Sequence, residues 1–226
     1  MTTMLSGGSA GSIKQNRAAG ILLAVSSLPS RYGIGAFGEA ARQWVRFLAG
    51  AGQRYWQILP LGPTGWGDSP YQSFSAFALS PYYIDLDLLT SQGLLDRNEA
   101  EKFPWGKRAD RTGYAALYHH RETVLRRAFE RFRKTADPAF RAFYGRHRFW
   151  LDDYALFMAI KSRRREHSWM AWEEALRFRD TAALDRCRDE LGRDMDYYIF
   201  TQFLAYTQWA ALKDYANSQG IAIIGD

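Results

Sequence analysis

The segment Gly62-Pro63-Thr64-Gly65-Trp66-Gly67-Asp68-Ser69-Pro70-Tyr71-Gln72-Ser73-Phe74-Ser75-Ala76-Phe77 sets aromatic rings among hydroxyl, amide and carboxylate groups. Trp66, Tyr71, Phe74 and Phe77 offer flat apolar faces, and Asp68, Ser69, Gln72 and Ser73 offer polar groups beside them. A pyranose has the matching chemistry, an apolar CH face and a rim of hydroxyls. The plainer alternative is that the rings only pin a long loop to the body, and the pattern alone leaves both open. Asp226 is a second candidate, because it follows the apolar run Ile221-Ala222-Ile223-Ile224-Gly225. A carboxylate at the end of a parallel strand faces the ligand mouth, whereas in a solvated turn it does nothing.

Other chemistries find less support. Ser27-Leu28-Pro29-Ser30-Arg31-Tyr32-Gly33-Ile34-Gly35 lacks the Gly-Lys-Ser/Thr ending of a phosphate loop and does not continue as GxGxxG, so it reads as a turn. His119, His120, His147 and His167 show no metal spacing and read as surface helix residues. With a single cysteine and no GxSxG elbow, a hydrolase triad is unsupported. No metal or cofactor is expected.

The elements that must position the loop follow from periodicity. Ile21 to Val25 form an apolar run between Gly20 and the Ser26, Ser27, Pro29 cluster, the pattern of a strand buried on both faces. Phe37 to Gly52 reads as a helix with Ala41, Trp44, Val45 and Leu48 on one face, and Tyr55 to Leu61 as a second strand. Strand, helix and strand in that order make a βαβ unit with parallel strands. Pro63, Pro70 and Pro81, together with Gly62, Gly65 and Gly67, then forbid a long helix or a central strand, so the aromatic segment must be a loop. Amphipathic helices follow over Tyr114 to Arg133, Phe149 to Lys161 and Met195 to Asn217, and Ile221 to Ile224 read as a third buried strand. The fold class is therefore α/β with a parallel sheet, either open or part of a barrel. Incomplete sheet edges and a length below the roughly 250 residues of a closed eight-stranded barrel suggest truncation after the third strand.

Composition narrows the class further. The 226 residues are 47% hydrophobic and 15% aromatic, a globular balance. The net charge of +6 comes from interspersed signs, and the run Lys161, Arg163, Arg164, Arg165, His167 reads as a solvated helix end, so no nucleic-acid partner is expected. The one cysteine, Cys187, rules out an intrachain disulfide and fits a reducing cytoplasm. Ala18 to Leu28 has the short apolar run of a secretory signal, but Pro29 and the turn after it favour a buried strand. No run approaches the roughly 18 apolar residues of a membrane span.

Several blocks, taken in order, resemble the amylomaltase or disproportionating-enzyme family, glycoside hydrolase family 77. They are Arg17-Ala18-Ala19-Gly20-Ile21-Leu22-Leu23 with Ser27-Leu28-Pro29-Ser30, then Trp56-Gln57-Ile58-Leu59-Pro60-Leu61-Gly62-Pro63-Thr64-Gly65 through Ser69-Pro70-Tyr71-Gln72-Ser73. Asp152-Asp153-Tyr154-Ala155-Leu156-Phe157, Gln208-Trp209 and Ile223-Ile224-Gly225-Asp226 complete the set. The resemblance implies the N-terminal part of a (β/α)8 TIM barrel with a largely helical insertion. Residues 1–16 would be a disordered tail, 17–62 the first βαβ unit, 63–95 the substrate-loop region, 96–193 the helical insertion, and 194–226 a barrel helix with the third strand.

The implied activity is a cytoplasmic 4-alpha-glucanotransferase moving α-1,4-glucan segments from maltooligosaccharides or amylose to glucose or another maltooligosaccharide, by retaining double displacement. The family's nucleophile and acid/base lie on later strands, so no catalytic residue is assigned here. Tyr71 is implied to stack on the sugar beside the cleaved bond, Ser69 to lie at the same subsite, and Asp226 to match the carboxylate ending the third strand. Trp66 stands where the family often has a Tyr that makes a secondary glucan contact. A non-catalytic glucan-binding module and an amylase-like hydrolase are the alternatives.

Overall fold

The computed structural model describes residues 17–65, 67–106, 111–165 and 168–225. Three short parallel strands, β1 (Gly20–Leu22), β2 (Tyr55–Gln57) and β3 (Ala222–Ile224), form one sheet in the order β1-β2-β3. Ile21, Trp56 and Ile223 are in register across it, so their side chains point to the same face. Trp56 is fully buried there, and its indole N–H donates to the Leu23 carbonyl at 2.8 Å.

Burial of the strands on both faces, expected from the apolar runs, is not what the structure has. Leu22, Tyr55 and Ile224 alternate with the buried row and stay 53%, 37% and 42% exposed. The described elements cover only one face of the sheet, and β1 and β3 are its edges. The first strand is also shorter than expected, because Val25 turns inward into a 3-10 turn over Val25–Ser27 and is itself buried.

The helix α1 (Glu39–Gly50) joins β1 to β2. Ala41, Val45 and Leu48 recur at helical spacing and are completely buried. Gly52, at φ +70°, adopts the left-handed conformation that ends the helix, and Gln53 N–H then bonds the Leu48 carbonyl at 3.0 Å. Two short helices follow the aromatic loop, α2 (Leu86–Ser91) and α3 (Arg97–Glu101). Asp85 caps α2 by accepting from Leu88 N–H at 2.9 Å.

The helical layer holds α4 (Tyr114–Phe132), α5 (Pro138–Arg163), the four-residue α6 (Glu174–Arg177) and α7 (Thr181–Ser218). Asp137 caps α5 with Pro138 in its first turn, and Asp180 caps α7 through Ala183 N–H at 2.9 Å. Both long helices begin well before the sequence pattern predicts, and α7 runs unbroken for 38 residues across position 194. Phe129 and Phe132 of α4, Phe140 and Phe143 of α5, and Phe200 and Phe203 of α7 form one aromatic seam, with Phe132 and Phe200 at 4.8 Å between centroids. Ser218 ends α7, and the chain turns directly into β3.

The expected surface placement of the histidines holds for His119 alone among the described ones. His120 stacks on Phe103 at 4.9 Å, and His147 packs against Phe143 and Tyr206 at 4.5 and 5.1 Å, so both are half-buried in aromatic surroundings. His167 lies outside the described residues. No helix among the described residues is long and apolar enough to cross a membrane.

Candidate functional site

The aromatic loop leaves the sheet at the carboxyl end of β2. Just before it, Ile58 N–H bonds the Ile224 carbonyl at 3.0 Å, so β3 ends beside the loop's point of departure. The loop closes on itself at Thr64 and Ser73, which form an antiparallel bridge. Gly62 is required at that neck, since a Cβ there would fall 2.4 Å from Ser73 Oγ.

Beyond the bridge the tip is two successive turns. Asp68 N–H bonds the Gly65 carbonyl at 3.2 Å, with Gly67 and Asp68 both at positive φ. Gln72 N–H then bonds the Ser69 carbonyl at 3.1 Å, a turn whose second residue is Pro70. Proline fixes that corner. Ser69 and Tyr71 therefore flank Pro70 on one rigid turn; Tyr71 projects outward at 65% exposure, and Ser69 is half-buried. The tip is braced from α4, where Tyr118 Oη donates to Asp68 Oδ1 at 2.6 Å. Burial, with the nearby negative charge of Asp68 second, raises the Tyr114 phenol above its ordinary range.

The returning leg is held along its length by its own Ser75 and by side chains of α4 and α7. Ser75 Oγ accepts from Ala78 N–H at 3.0 Å, and Tyr206 Oη donates to the Phe77 carbonyl. Gln202 donates to the Leu79 carbonyl and accepts from Leu79 N–H, both at 2.9 Å. Gln208 does the same at Asp85, accepting from its N–H at 2.7 Å and donating to its carbonyl at 3.3 Å. The carbonyls of Tyr82 and Ile84 accept from the guanidinium of Arg121, which is buried and whose pKa desolvation lowers to about 10. Burial raises the Asp85 carboxyl above its usual range, partly offset by its bond from Leu88 N–H. Phe77 stacks on Trp150 and Phe74 leans on Phe157, with centroids 5.7 and 6.1 Å apart.

Of the four residues expected to bind sugar, the structure brings Ser69 and Tyr71 together on one turn. Trp66 and Asp226 lie outside the described residues. The residues that fix the loop, Tyr118, Arg121, Gln202, Tyr206 and Gln208, were not singled out as functional from the sequence. The available signal was Gln202 and Gln208 on the apolar part of a helix, since a buried amide must find partners. Among the described residues no group of three His, Cys, Asp or Glu is placed to hold a metal.

The arrangement is a stiff, aromatic-tipped loop over the end of a parallel sheet, able to present a ring face and a hydroxyl to a neutral ligand. Comparison with known proteins agrees with the block resemblance. The 4-alpha-glucanotransferase of Clostridium butyricum is 46% identical over 202 residues, 89% of this chain and 42% of that protein. That of Thermus thermophilus is 48% identical over 214 residues, 93% of this chain and again 42% of the relative. The chain thus spans about 42% of the length of these relatives. Among solved structures, an amylomaltase from Streptococcus agalactiae in complex with acarbose superimposes with a TM-score of 0.89 at 40% identity, covering 93% of this chain and 43% of that one. The family model described as 4-alpha-glucanotransferase matches residues 23–226, and the chain accordingly belongs to glycoside hydrolase family 77.

Proposed function

We propose that this chain supplies the sugar-holding N-terminal side of a 4-alpha-glucanotransferase built on a (β/α)8 barrel, with residues 96–193, from α3 to the first third of α7, as its helical insertion and the rest of α7 as a barrel helix. The observation that carries the proposal is the Pro70 turn, which holds Tyr71 outward and Ser69 beside it above the sheet's carboxyl end. Tyr71 stacks on the sugar next to the cleaved bond, Ser69 lies at the same subsite, Asp226 serves as the sugar-binding carboxylate that follows the third strand, and Trp66 makes a secondary glucan contact. The related amylomaltase holding acarbose supports an oligosaccharide ligand.

In this reading the reaction is a double displacement. A carboxylate attacks the anomeric carbon of an α-1,4-glucan, the leaving 4-oxygen takes a proton from a carboxylic acid, and a covalent glycosyl-enzyme forms. The 4-hydroxyl of glucose or another maltooligosaccharide then attacks, giving its proton back to the same acid/base and releasing the nucleophile. These carboxylates come from strands that follow the third in family order. The described residues orient sugar and carry no proton. No cofactor, nucleic acid or membrane enters the reaction. We place it in the cytoplasm, where a stretch of 226 residues with Cys187 as its one cysteine, and so without an intrachain disulfide, fits the reducing conditions.

Incubation of the complete gene product with maltotriose tests the proposal. Glucose together with maltotetraose and longer products is expected. Tyr71→Ala should lower transfer by at least about tenfold, a loss of ~1.4 kcal/mol in transition-state binding. Products no longer than the substrate would mean hydrolysis and overturn transfer.

A further inference from the structure

The imidazole of His147 touches both groups that hold Phe77 in place. One is Trp150, one turn along α5, whose indole N–H donates to His147 Nδ1 at 3.3 Å and whose ring stacks on Phe77 at 5.7 Å between centroids. The other is Tyr206 of α7, whose ring lies 5.1 Å from the imidazole and whose Oη donates to the Phe77 carbonyl. Trp150 and Tyr206 also lean on each other at 6.0 Å, so the three rings form one cluster beside the returning leg.

Phe77 is in turn tied to the loop tip. Its N–H bonds Ser75 Oγ at 3.3 Å, the Ser75 carbonyl accepts from Ser73 Oγ at 2.9 Å, and Ser73 pairs with Thr64 at the neck that carries Ser69 and Tyr71. A change at His147 therefore reaches the sugar-holding turn through an unbroken series of contacts.

The cluster works in one protonation state. With Nδ1 accepting, the neutral ring carries its proton on Nε2, whereas an imidazolium carries protons on both nitrogens. Two N–H donors cannot share the Trp150 contact. Trp150 is buried, so its refused indole donor is left without a partner unless the ring moves, and a ring that moves gives up its stack on Phe77.

The surroundings do not favour a cation at this place. On α5, Arg146 is a positive charge that opposes a second one, Arg148 is engaged with Asp152 at 3.1 Å, and Tyr144 donates to the same carboxylate at 2.8 Å. From α7, Asp196 acts on Tyr144 one turn earlier, and Tyr206 brings a phenol that burial raises above its ordinary range and so keeps neutral. Phe143 and Phe77 bring no charge. Among the described residues no carboxylate is paired with His147.

We propose that His147 is a positioning residue for glucan transfer: its neutral imidazole, through Trp150 and Tyr206, holds Phe77 and so keeps the Tyr71 turn in place, and protonation releases it. The proposal rests on the glucanotransferase reading for the reaction it serves.

The test is the profile of kcat/KM for maltotriose between pH 7.5 and 5, measured on the complete gene product as wild type, His147→Asn and Trp150→Phe. Asparagine sets an amide oxygen near the Nδ1 position and does not titrate. Phenylalanine at 150 keeps a ring against Phe77 and has no N–H to be refused. Titration of the reacting carboxylates is common to all three proteins. Over this interval wild type should lose about three- to tenfold more of its pH 7.5 value than either variant. A role in folding alone would move Tm and leave the three profiles parallel, and parallel profiles overturn the proposal. Amide hydrogen exchange at Phe77 and Ala78, corrected for its intrinsic pH dependence, reads the same hold without substrate. Protection there should fall on acidification in wild type and stay level in His147→Asn. If it falls so in a wild type that makes no maltotetraose at any pH, the hold stands and the glucan reading fails. If it stays level in a wild type that does transfer, the glucan reading stands and His147 holds nothing.

Discussion

The grip of Gln202 on Leu79 makes the sharpest test of how the loop is held. Gln202 is fully buried, and its amide both donates to and accepts from one backbone residue at 2.9 Å. Gln202→Leu keeps the side chain's bulk and removes both bonds. Two main-chain groups at Leu79 then lose their partners. An unpaired buried polar group costs about 1–3 kcal/mol. Leu79 is only half-buried, so water recovers part of that cost, and the total should come to ~2–3 kcal/mol. For 150–250 residues 1 kcal/mol moves Tm by about 2–4 °C, and in a protein about twice that length by about half as much, so a fall of roughly 2–6 °C is expected. Gln219→Leu, at an exposed position past the end of α7, serves as control and should shift Tm by under about 1 °C. Thermal melts of the complete gene product, followed by circular dichroism, give both numbers. Disproportionation of maltotriose well below the melt should also drop several-fold, because the returning leg is no longer fixed. A Gln202→Leu protein that melts with the control refutes the hydrogen-bond account. One that melts low but transfers glucose normally shows that the grip stabilises the fold without orienting the loop.

The other predictions concern single features. His147 Nδ1 accepts from the Trp150 indole at 3.3 Å, and burial followed by the charge of Arg146 lowers its pKa below the ordinary 6.5. Its folded pKa is depressed, so the stability it contributes is present above the unfolded value and is lost as pH falls through the folded one. Lowering the pH from about 7.5 to 5 should therefore cost wild type more stability than His147→Gln, and equal losses in urea melts would refute this. Gly62→Ala drives a methyl into Ser73 Oγ, so it should open the loop neck and lower glucan binding several-fold, measured by retardation in native gels containing amylose. Asp68 sits at φ +57° and accepts from Tyr118. Asp68→Asn, which tolerates that conformation and keeps an acceptor, should bind glucan better than Asp68→Ala, which loses both; the reverse order in the same gels would sink the argument.

Much of the sheet was legible because its signals are local. Gly20 and Gly52 bracket elements whose apolar spacing names them strand or helix, and the prolines at 63, 70 and 81 announce the loop between them. What failed was the burial of Leu22 and Ile224, since an apolar run says nothing about which faces find a covering layer. The helix starts at Asp137 and Asp180 are hidden although each is followed by a largely apolar first turn, because charged stretches, Arg146 to Arg148 in α5 and Asp185 to Asp194 in α7, interrupt the apolar periodicity before it resumes. At the site, the prolines announce the loop, while the roles expected of Tyr71 and Ser69 come from the family resemblance and not from any local pattern. Gln202 and Gln208 show only that an amide on an apolar helix face needs partners; which backbone they and Arg121 satisfy is not legible, because it is remote in sequence and only the fold brings it within reach.

At 38 residues, α7 is a rod about 57 Å long. Leu184 near its start is buried in the helical layer, Gln202 and Gln208 clasp the loop midway, and its last turn feeds the outer strand of the sheet. A tilt of a few degrees at one end is therefore a shift of ångströms at the other. Helical layer, loop and sheet edge hang on a single mechanical axle, and substitutions that bend it should disturb all three at once.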